Sequence, residues 1–308
     1  MFGDLIKKIR KDKGFTQSEM VAHMQLSSDE FSQVDYVTVS RWERGVTTPI
    51  PSRALRILRC FMMDVTPFLD SLEVDDSVNY AEEFLVSRFE SIGQRHLLAS
   101  LNVELPNKHT QIKHDKLLAK VNDPFVKTIQ AFHQSFNQDR LDLFDIDLYL
   151  YQEEHRLHGY RLFSEHDKND VLGFSMGFFF RNDVLQEEIG SNNCDVDLKL
   201  ASKYNESSQF SIYLLSGNIS SRALFIYLWK LRLNFLAQHS NITEIYINIM
   251  QASVADLLLR LGFVIVSTKN ETKYGGIKIG NRNYERCIMK LDTSLFLTRK
   301  EVISLMRY

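Results

Sequence analysis

Apolar positions recur at helical spacing in the N-terminal part of the chain. The spacing predicts four helices. The residues expected on the buried faces of the first three are Leu5, Ile6, Ile9, Met20, Val21, Met24, Val39 and Trp42. Gly14 and Gly45 are expected to end the first and third helices. Thr16 and Glu19 have the spacing of a capping box at the start of the second helix, and Asp35 can cap the third.

The middle of the chain keeps a helical pattern from Asp64 to about Gln138. Apolar residues predict helices within 77–101 and 122–138, and a loop joins them. These helices are expected either to form a homodimer interface or to pack on the C-terminal part of the chain. The pattern leaves both alternatives open.

From Leu141 the apolar positions follow the two-residue period of strands. Strands are predicted at 144–152, 171–181, 210–217 and 242–250, with a closing hairpin from 263–269 and 284–292. Helices are predicted at 221–238 and 252–263. This order predicts an α+β fold with a mixed sheet. The chain is therefore expected to be multidomain: an all-α domain at 1–70, a helical connector or dimerisation segment at 71–140, and an α+β domain at 141–308.

Composition adds one bias to this picture. The 308 residues are 44% hydrophobic and 25% charged, which is typical of a globular chain long enough for two cores. The net charge is −2, but ten Lys/Arg residues stand against seven Asp/Glu before Phe61, a local excess of +3. Such an excess permits contact with a polyanion without requiring it.

No pattern points to a metal, a disulfide or a membrane. Cys60, Cys194 and Cys287 lack zinc spacing and are expected to be buried thiols in a reducing compartment. The histidines and glutamates considered as metal ligands match no common ligand spacing: His109, His114, Glu153, Glu154, His155, His158 and His166. No signal-peptide pattern occurs, and no apolar run approaches the about 20 residues that cross a bilayer, so a cytoplasmic protein is predicted.

Two stretches carry a resemblance to a known family. "TQSEMVAHM" and "VTVSRWERG", followed by a proline-containing turn and a further helix, resemble the helix-turn-helix of the Cro/CI (XRE) family over about residues 2–65. About eight extra residues, Leu26 to Gln33, separate the second and third helices, which predicts a longer second helix or a bulged turn. The resemblance implies that the third helix lies in the DNA major groove. It implies base contacts by Tyr36, Val37, Thr38 and Arg41, and phosphate contacts by Gln17, Arg44, Thr47 and Thr48.

Other charged residues of this part favour structural roles. Glu43 is expected to pair with Arg10 or Arg53, because phosphates would repel a carboxylate. Arg53, Arg56 and Arg59 recur every three residues on the fourth helix and indicate a solvated face or a protein contact rather than phosphate binding.

The C-terminal elements resemble the GNAT acyltransferase fold over about residues 125–292, above all in "QASVADLLLRLGF". The resemblance implies an acyl-CoA ligand whose phosphates lie on a glycine-rich loop at a helix N-terminus. Here the stretch "NISSRA" lacks the glycines. Its residues form either a CoA-like ligand loop or an ordinary helix cap: Asn218, Ser220, Ser221 and Arg222. Leu258 stands where the family often has a tyrosine general acid, so no catalytic residue is assigned.

The main functional prediction is a sequence-specific, dimeric DNA-binding transcription regulator whose GNAT-like domain senses an effector or assembles the protein and has lost catalysis. It implies double-stranded DNA as the partner, a possible small-molecule effector and no obligatory cofactor. Two alternatives remain: an active N-acyltransferase that uses acyl-CoA, and an antitoxin-like regulator that acts with a protein partner.

Overall fold

The computed structural model describes residues 2–73, 80–89, 111–135, 143, 145–192, 194–219 and 221–307. The N-terminal helical unit, residues 2–73, contains α1 (Phe2–Asp12), α2 (Gln17–Ser27), α3 (Tyr36–Glu43), α4 (Pro51–Arg59) and α5 (Thr66–Leu69). Val39 and Trp42 are buried as predicted. The predicted capping box of Thr16 and Glu19 and the Asp35 cap are both present.

The extra residues between α2 and α3 are accommodated in both predicted ways. α2 extends to Ser27, and Ser28 then caps a 3-10 turn, Asp29–Phe31. The turn places Phe31 in the core with 1% of its surface exposed. The inserted stretch is therefore anchored by an apolar side chain rather than looped into solvent.

The remaining helices are α6 (Tyr80–Phe89), α7 (Phe125–Ser135), α8 (Leu148–Glu153), α9 (Asn182–Asn192), α10 (Arg222–Gln238), α11 (Ala252–Arg260), α12 (Thr293–Leu297) and α13 (Lys300–Arg307). The strands are β1 (Ile112–Lys116), β2 (Leu157–Ser164), β3 (Asp167–Arg181), β4 (Phe210–Ile219), β5 (Ile242–Ile249), β6 (Val264–Thr272), β7 (Ile277–Ile279) and β8 (Arg282–Asp292).

The strands form one mixed sheet of eight strands in the order β1-β2-β3-β4-β5-β8-β6, and β7 pairs with β8. All pairs along this order are antiparallel except β4 with β5, which is parallel. The prediction of an α+β fold with a mixed sheet is confirmed. Both faces are covered: Phe174 and Phe178 of β3 pack in the core with α7 and α9, whereas Phe179 packs in the core with α10.

Two sequence expectations differ from the structure. The strand predicted at 144–152 is wrong, because α8 occupies its end: Asp147 caps this helix by accepting the Leu150 N–H at 3.0 Å, and Leu148 and Gln152 share its buried side. The middle segment is not wholly helical, since β1 lies within it and pairs with β2 at the sheet edge.

The N-terminal helical unit is joined to the sheet through α4 and the segment after it. Arg59 donates to the carbonyl oxygens of Leu236, His239 and Ile242 at 3.1–3.3 Å. The Val65 N–H donates to the Ala237 carbonyl at 2.8 Å. The bonds to Leu236, Ala237 and His239 satisfy carbonyl groups at the C-terminal end of α10, and the bond to Ile242 reaches the start of β5. For Arg59, the protein contact expected of the α4 arginines is therefore a contact within the chain itself.

Candidate ligand-binding site

The parallel strands β4 and β5 separate near the middle of the sheet. They pair from Phe210 and Ile242 as far as Leu214 and Ile247. Beyond these residues β4 continues to Ile219 paired with β3, while β5 continues paired with β8. A bulge in β4 after Leu214 accompanies the separation. The two strands therefore turn unpaired backbone edges towards each other over their last residues.

A cavity of about 310 Å³ lies at this separation. Phe225 and Trp229 of α10 line it on one face of the sheet, and Phe132 and His133 of α7 line it on the other. Its walls are mainly apolar and include Leu214, Leu215, Ile219, Ile247, Ile249, Val254, Leu257 and Leu258. Because residues from both faces contribute, the cavity passes between the separated strands. An apolar pocket with few polar groups is typical of ligand sites.

Among the described residues, four polar side chains reach this cavity: His133, Arg232, Asn248 and Gln251. His133 is buried. Asn248 follows the last β4–β5 pair, and its buried Oδ1 has no hydrogen-bond partner in the part of the chain that the structure describes. A buried amide oxygen without a donor is costly, and a ligand N–H could satisfy it.

Arg232 is held between α10 and the sheet. Its Nη2 donates to the Ser175 hydroxyl at 2.5 Å, while its Nε is buried without a partner among the described residues. Burial lowers the pKa of Arg232 to about 10, so the guanidinium remains charged at neutral pH.

His158 of β2 lies beside this arginine and is stacked on Phe235 with 3.9 Å between ring centroids. Burial, and then the electrostatic interactions with Arg232 and His239, lower the pKa of His158 to about 3. His158 is therefore neutral at physiological pH.

The predicted ligand loop forms the start of α10. Ser221 caps the helix, its hydroxyl accepting the Leu224 N–H at 3.3 Å, as the helix-cap alternative expects. Arg222 pairs with Glu82 of α6 at 2.6 Å. Ser220 and the side chain of Asn218 lie outside the described residues. In the described part of this loop, Ser221 therefore caps the helix N-terminus and Arg222 is paired with a carboxylate.

Helix α6 bridges α10 and α11 and forms part of the cavity wall. Glu82 pairs with Arg222, and Glu83 pairs with Arg260 at 3.0 Å. Between these ion pairs Phe84 lines the cavity and packs on Phe225 with 5.4 Å between ring centroids. α6 is therefore held by charge on two helices and by apolar contact between them.

Leu258 of α11 is buried in the cavity wall, and Gln251 precedes α11 at its N-cap. The leucine that replaces the expected tyrosine therefore lies in the wall of the cavity. A leucine side chain has no proton to offer a leaving group.

The residues expected to contact DNA lie in the N-terminal helical unit. Tyr36, Val37, Arg41, Arg44, Thr47 and Thr48 are exposed, and Thr38 and Gln17 are partly buried. Gln17 donates to Glu43 at 2.9 Å. Arg10 binds the same carboxylate at 2.5 Å, as expected from the sequence. Partial burial raises the pKa of Glu43, but the hydrogen bonds from Arg10 and Gln17 outweigh it and hold the pKa below its ordinary value.

Sequence reasoning missed Arg232, Ser175, His158 and Asn248 as parts of the site. One signal was present for Arg232. Phe225, Trp229, Leu233 and Leu236 mark the buried face of α10, and Arg232 lies three residues after Trp229 and four before Leu236. A charged residue within a buried helical stripe needs a partner or a function.

Among the described residues, no group of three or more His, Cys, Asp or Glu side chains is arranged to hold a metal ion. His109, one of the histidines considered, lies outside them. In the same part of the chain, each helix is too short or too polar to cross a membrane.

No protein-family model matches the chain, and no curated protein matches it. Solved structures match about 60% of the chain. NAA60 of Arabidopsis thaliana with a bisubstrate analogue has 12% identity and a TM-score of 0.36, over 59% of this chain and 99% of that one. Spermidine N-acetyltransferase from Vibrio cholerae with CoA and spermine has 14% identity and a TM-score of 0.35, over 61% and 99%. FeeM, an N-acyl amino acid synthase from uncultured soil microbes, has 12% identity and a TM-score of 0.35, over 60% and 92%.

These three matches correct the main functional prediction. They are N-acyltransferases and none of the three is described with DNA, so the prediction of an XRE-type transcription regulator that binds double-stranded DNA is wrong. The alternative of an acyltransferase agrees better with them. Identities of 12–14% and TM-scores below 0.5 assign no role to any residue of this chain. The helices and the mixed sheet are consistent with a GNAT-like α+β fold.

Proposed function

We propose that this chain is an N-acyltransferase that binds acyl-CoA at the separation of β4 and β5. The observation that carries the proposal is the mainly apolar cavity that passes between the two separated strands. The pantetheine arm of CoA is an extended chain with two amides, which can hydrogen-bond to the free backbone edges as an added strand does. The acyl chain would then lie against the apolar walls.

The two faces of the sheet would hold different parts of the reaction. CoA would enter from the face of α10 and α11, and the amine acceptor from the face of α7. The amine nitrogen attacks the thioester carbon, the carbon–sulfur bond breaks, and the thiolate leaves with the bonding electron pair. We assign proton acceptance from the amine to His133, the imidazole among the described residues that line the cavity. With leucine at position 258, the thiolate would take its proton from solvent.

The CoA phosphates would lie at the start of α10. Backbone N–H groups and the helix dipole favour anions there, and Arg222 adds a charged donor. Because Arg222 is already paired with Glu82, phosphates that bind Arg222 would have to displace the Glu82 carboxylate. Ser220, Ser221 and Asn218 complete this proposed loop.

We also propose that the domain division lies near the predicted boundaries of 1–70, 71–140 and 141–308, with one adjustment. β1 at Ile112–Lys116 extends the sheet, and α7 packs on it. The segment from residue 111 onwards would therefore fold with the α+β domain rather than with a connector.

The test is binding and turnover of acyl-CoA by the full chain. Calorimetry with acetyl-CoA measures binding, and release of free thiol in the presence of amines measures turnover. Val254→Trp places a large side chain in the cavity wall and should reduce acyl-CoA affinity at least tenfold. Val264→Trp, at an exposed position of β6, is the matched control and should bind as the unaltered chain does.

Equal affinities of the two tryptophan variants would place acyl-CoA elsewhere on the molecule. No measurable binding of acetyl-CoA or longer acyl-CoAs by the unaltered chain would overturn the proposed function.

A further inference from the structure

Arg232 is a partly buried cation whose Nε atom is fully buried, and no described residue provides a counter-ion for it. In the part of the chain that the structure describes, no carboxylate pairs with it, and its hydrogen bond is to the uncharged hydroxyl of Ser175. A guanidinium has five N–H donors, and its Nε is among those left without a partner. Removing an unpaired charge from water is strongly unfavourable, so such a residue is normally paired or bound to something.

The described residues around Arg232 supply no negative charge. The pKa of His158 is lowered to about 3, chiefly by burial, so this imidazole is neutral. Burial raises the pKa of Tyr160 to about 12, so its phenol stays protonated. Apart from His158 and Ser175, the described residues that line the small space beside Arg232 are apolar: Ile212, Leu214, Trp229, Phe235, Leu236, Ile245, Ile247 and Phe296.

Arg232 also reaches the main cavity at the point where the strands separate. It lines the cavity together with Gly217 of β4. A Cβ atom placed on Gly217 would lie 3.8 Å from Arg232 Nη2. The guanidinium group therefore lies against the free edge of β4, where the proposed acyl group would pass.

We propose that this cavity binds a ligand that carries a carboxylate, and that Arg232 binds this carboxylate. The inference rests on the proposed function and specifies its substrate class. A carboxylate matches the planar fork of a guanidinium and would neutralise it inside an apolar site. The carboxylate has two possible sources: the far end of a dicarboxylic acyl group on CoA, or the acid group of an amino-acid acceptor.

Two arms of the experiment separate these sources. In the first, calorimetry compares succinyl-CoA with butyryl-CoA, which has a neutral chain of the same length. In the second, thiol release from acetyl-CoA compares L-amino acids with the corresponding amino-acid amides. A preference for succinyl-CoA assigns the carboxylate to the acyl group, and a preference for amino acids over amides assigns it to the acceptor.

Arg232→Met should remove the preference in whichever arm shows it. We expect a loss of about 10- to 100-fold for the carboxylate compound and little change for its neutral partner. The variant should fold, because it replaces an unpaired, partly buried charge with an apolar side chain. Lys230→Met, which removes a charge two residues away on α10 and outside the cavity lining, is the matched control and should keep the preference.

A third readout does not depend on acyl-CoA. Succinate, but not succinamide, should raise the melting temperature of the unaltered chain and not that of Arg232→Met. If acyl-CoA does not bind but this shift is present, the proposed function fails and the carboxylate site stands. If acyl-CoA binds but no carboxylate preference is found in either arm, or Arg232→Met retains it, the carboxylate site is wrong.

Discussion

His158 shows how the packing of a single side chain creates a pH dependence of stability. Its ring is enclosed between β2 and α10, and its Nε2 is buried without a partner among the described residues. Its pKa is lowered to about 3 by burial and by the electrostatic interactions with Arg232 and His239. In the unfolded chain the pKa returns to about 6.5. Between these values the unfolded state binds the proton and the folded state does not.

Stability should therefore fall as the pH decreases from about 6.5 towards 3, and should be independent of this group above pH 7. By pH 5 the loss from His158 amounts to about 2 kcal/mol. His158→Phe keeps a ring against Phe235 and removes the titration. We expect urea unfolding at pH 7.5 and pH 5.0 to show a smaller loss in the variant by about this amount.

His166→Gln is the control for this measurement, because His166 is exposed. It should lose as much stability as the unaltered chain does between the two pH values. An identical pH dependence in His158→Phe and the unaltered chain would show that His158 is protonated freely in the folded state.

At the scale of elements, α6 holds a position that bears on access to the proposed site. Its carboxylates pair with arginines on both α10 and α11, and Phe84 lies between them in the cavity wall. Ion pairs of this exposure contribute about 0.2–1 kcal/mol each. We therefore expect the two ion pairs to slow the entry of a ligand past α6 without preventing it.

We expect the double variant Glu82→Gln, Glu83→Gln to bind acetyl-CoA about three- to tenfold faster than the unaltered chain in stopped-flow measurements. Loss of negative charge alone could also raise the rate, so a second variant separates the causes. Arg260→Gln breaks the Glu83 pair but removes a positive charge. A faster rate in Arg260→Gln supports release of α6. A slower rate there would leave charge as the sole cause and contradict a restraining role for α6.

The elements themselves were predictable where one local signal dominated. Strands β3, β4 and β5 and helices α10 and α11 agree with the predicted segments, because each has long apolar runs or a clear cap such as Ser221. The strand expected at 144–152 failed because alternation over a few residues also fits a short helix. Asp147 decides the outcome by accepting the N–H of Leu150.

The site was less predictable than the elements. The separation of β4 from β5 depends on the pairing of strands that are distant in sequence. No local sequence pattern indicates the residue at which the hydrogen bonding between two strands ends. β1 escaped prediction because its exposed edge residues are polar. The start of α10 was predicted correctly from its apolar pattern and the cap at Ser221, but the pairing of Arg222 with Glu82 involves a residue 140 positions away.

At the scale of the whole molecule, Arg59 connects the N-terminal helical unit to the sheet. Besides three carbonyl groups near the end of α10, it donates to the Ser294 hydroxyl at 3.2 Å. Burial lowers its pKa to about 10, yet it remains charged at neutral pH. A cation at a helix C-terminus is favourable, and here it also satisfies carbonyl groups that would otherwise be buried without donors.

Arg59→Met should therefore destabilise the chain by about 3 kcal/mol and uncouple its two parts. The chain has two tryptophans, Trp42 in α3 and Trp229 in α10. Trp229→Phe leaves Trp42 to report on the helical unit, and Trp42→Phe leaves Trp229 to report on the sheet. In each background, urea unfolding followed by fluorescence should give coincident midpoints with Arg59 and separate midpoints with Met.

Arg53→Met is the matched control for this experiment, because Arg53 lies on the same helix and its Nε has no partner in the described part of the chain. We expect it to change stability by less than about 1 kcal/mol and to leave the midpoints coincident. If Arg59→Met also leaves them coincident, the apolar contacts between the two parts suffice to couple them. If the midpoints separate, the four hydrogen bonds of Arg59 are what make the helical unit and the sheet unfold as one body.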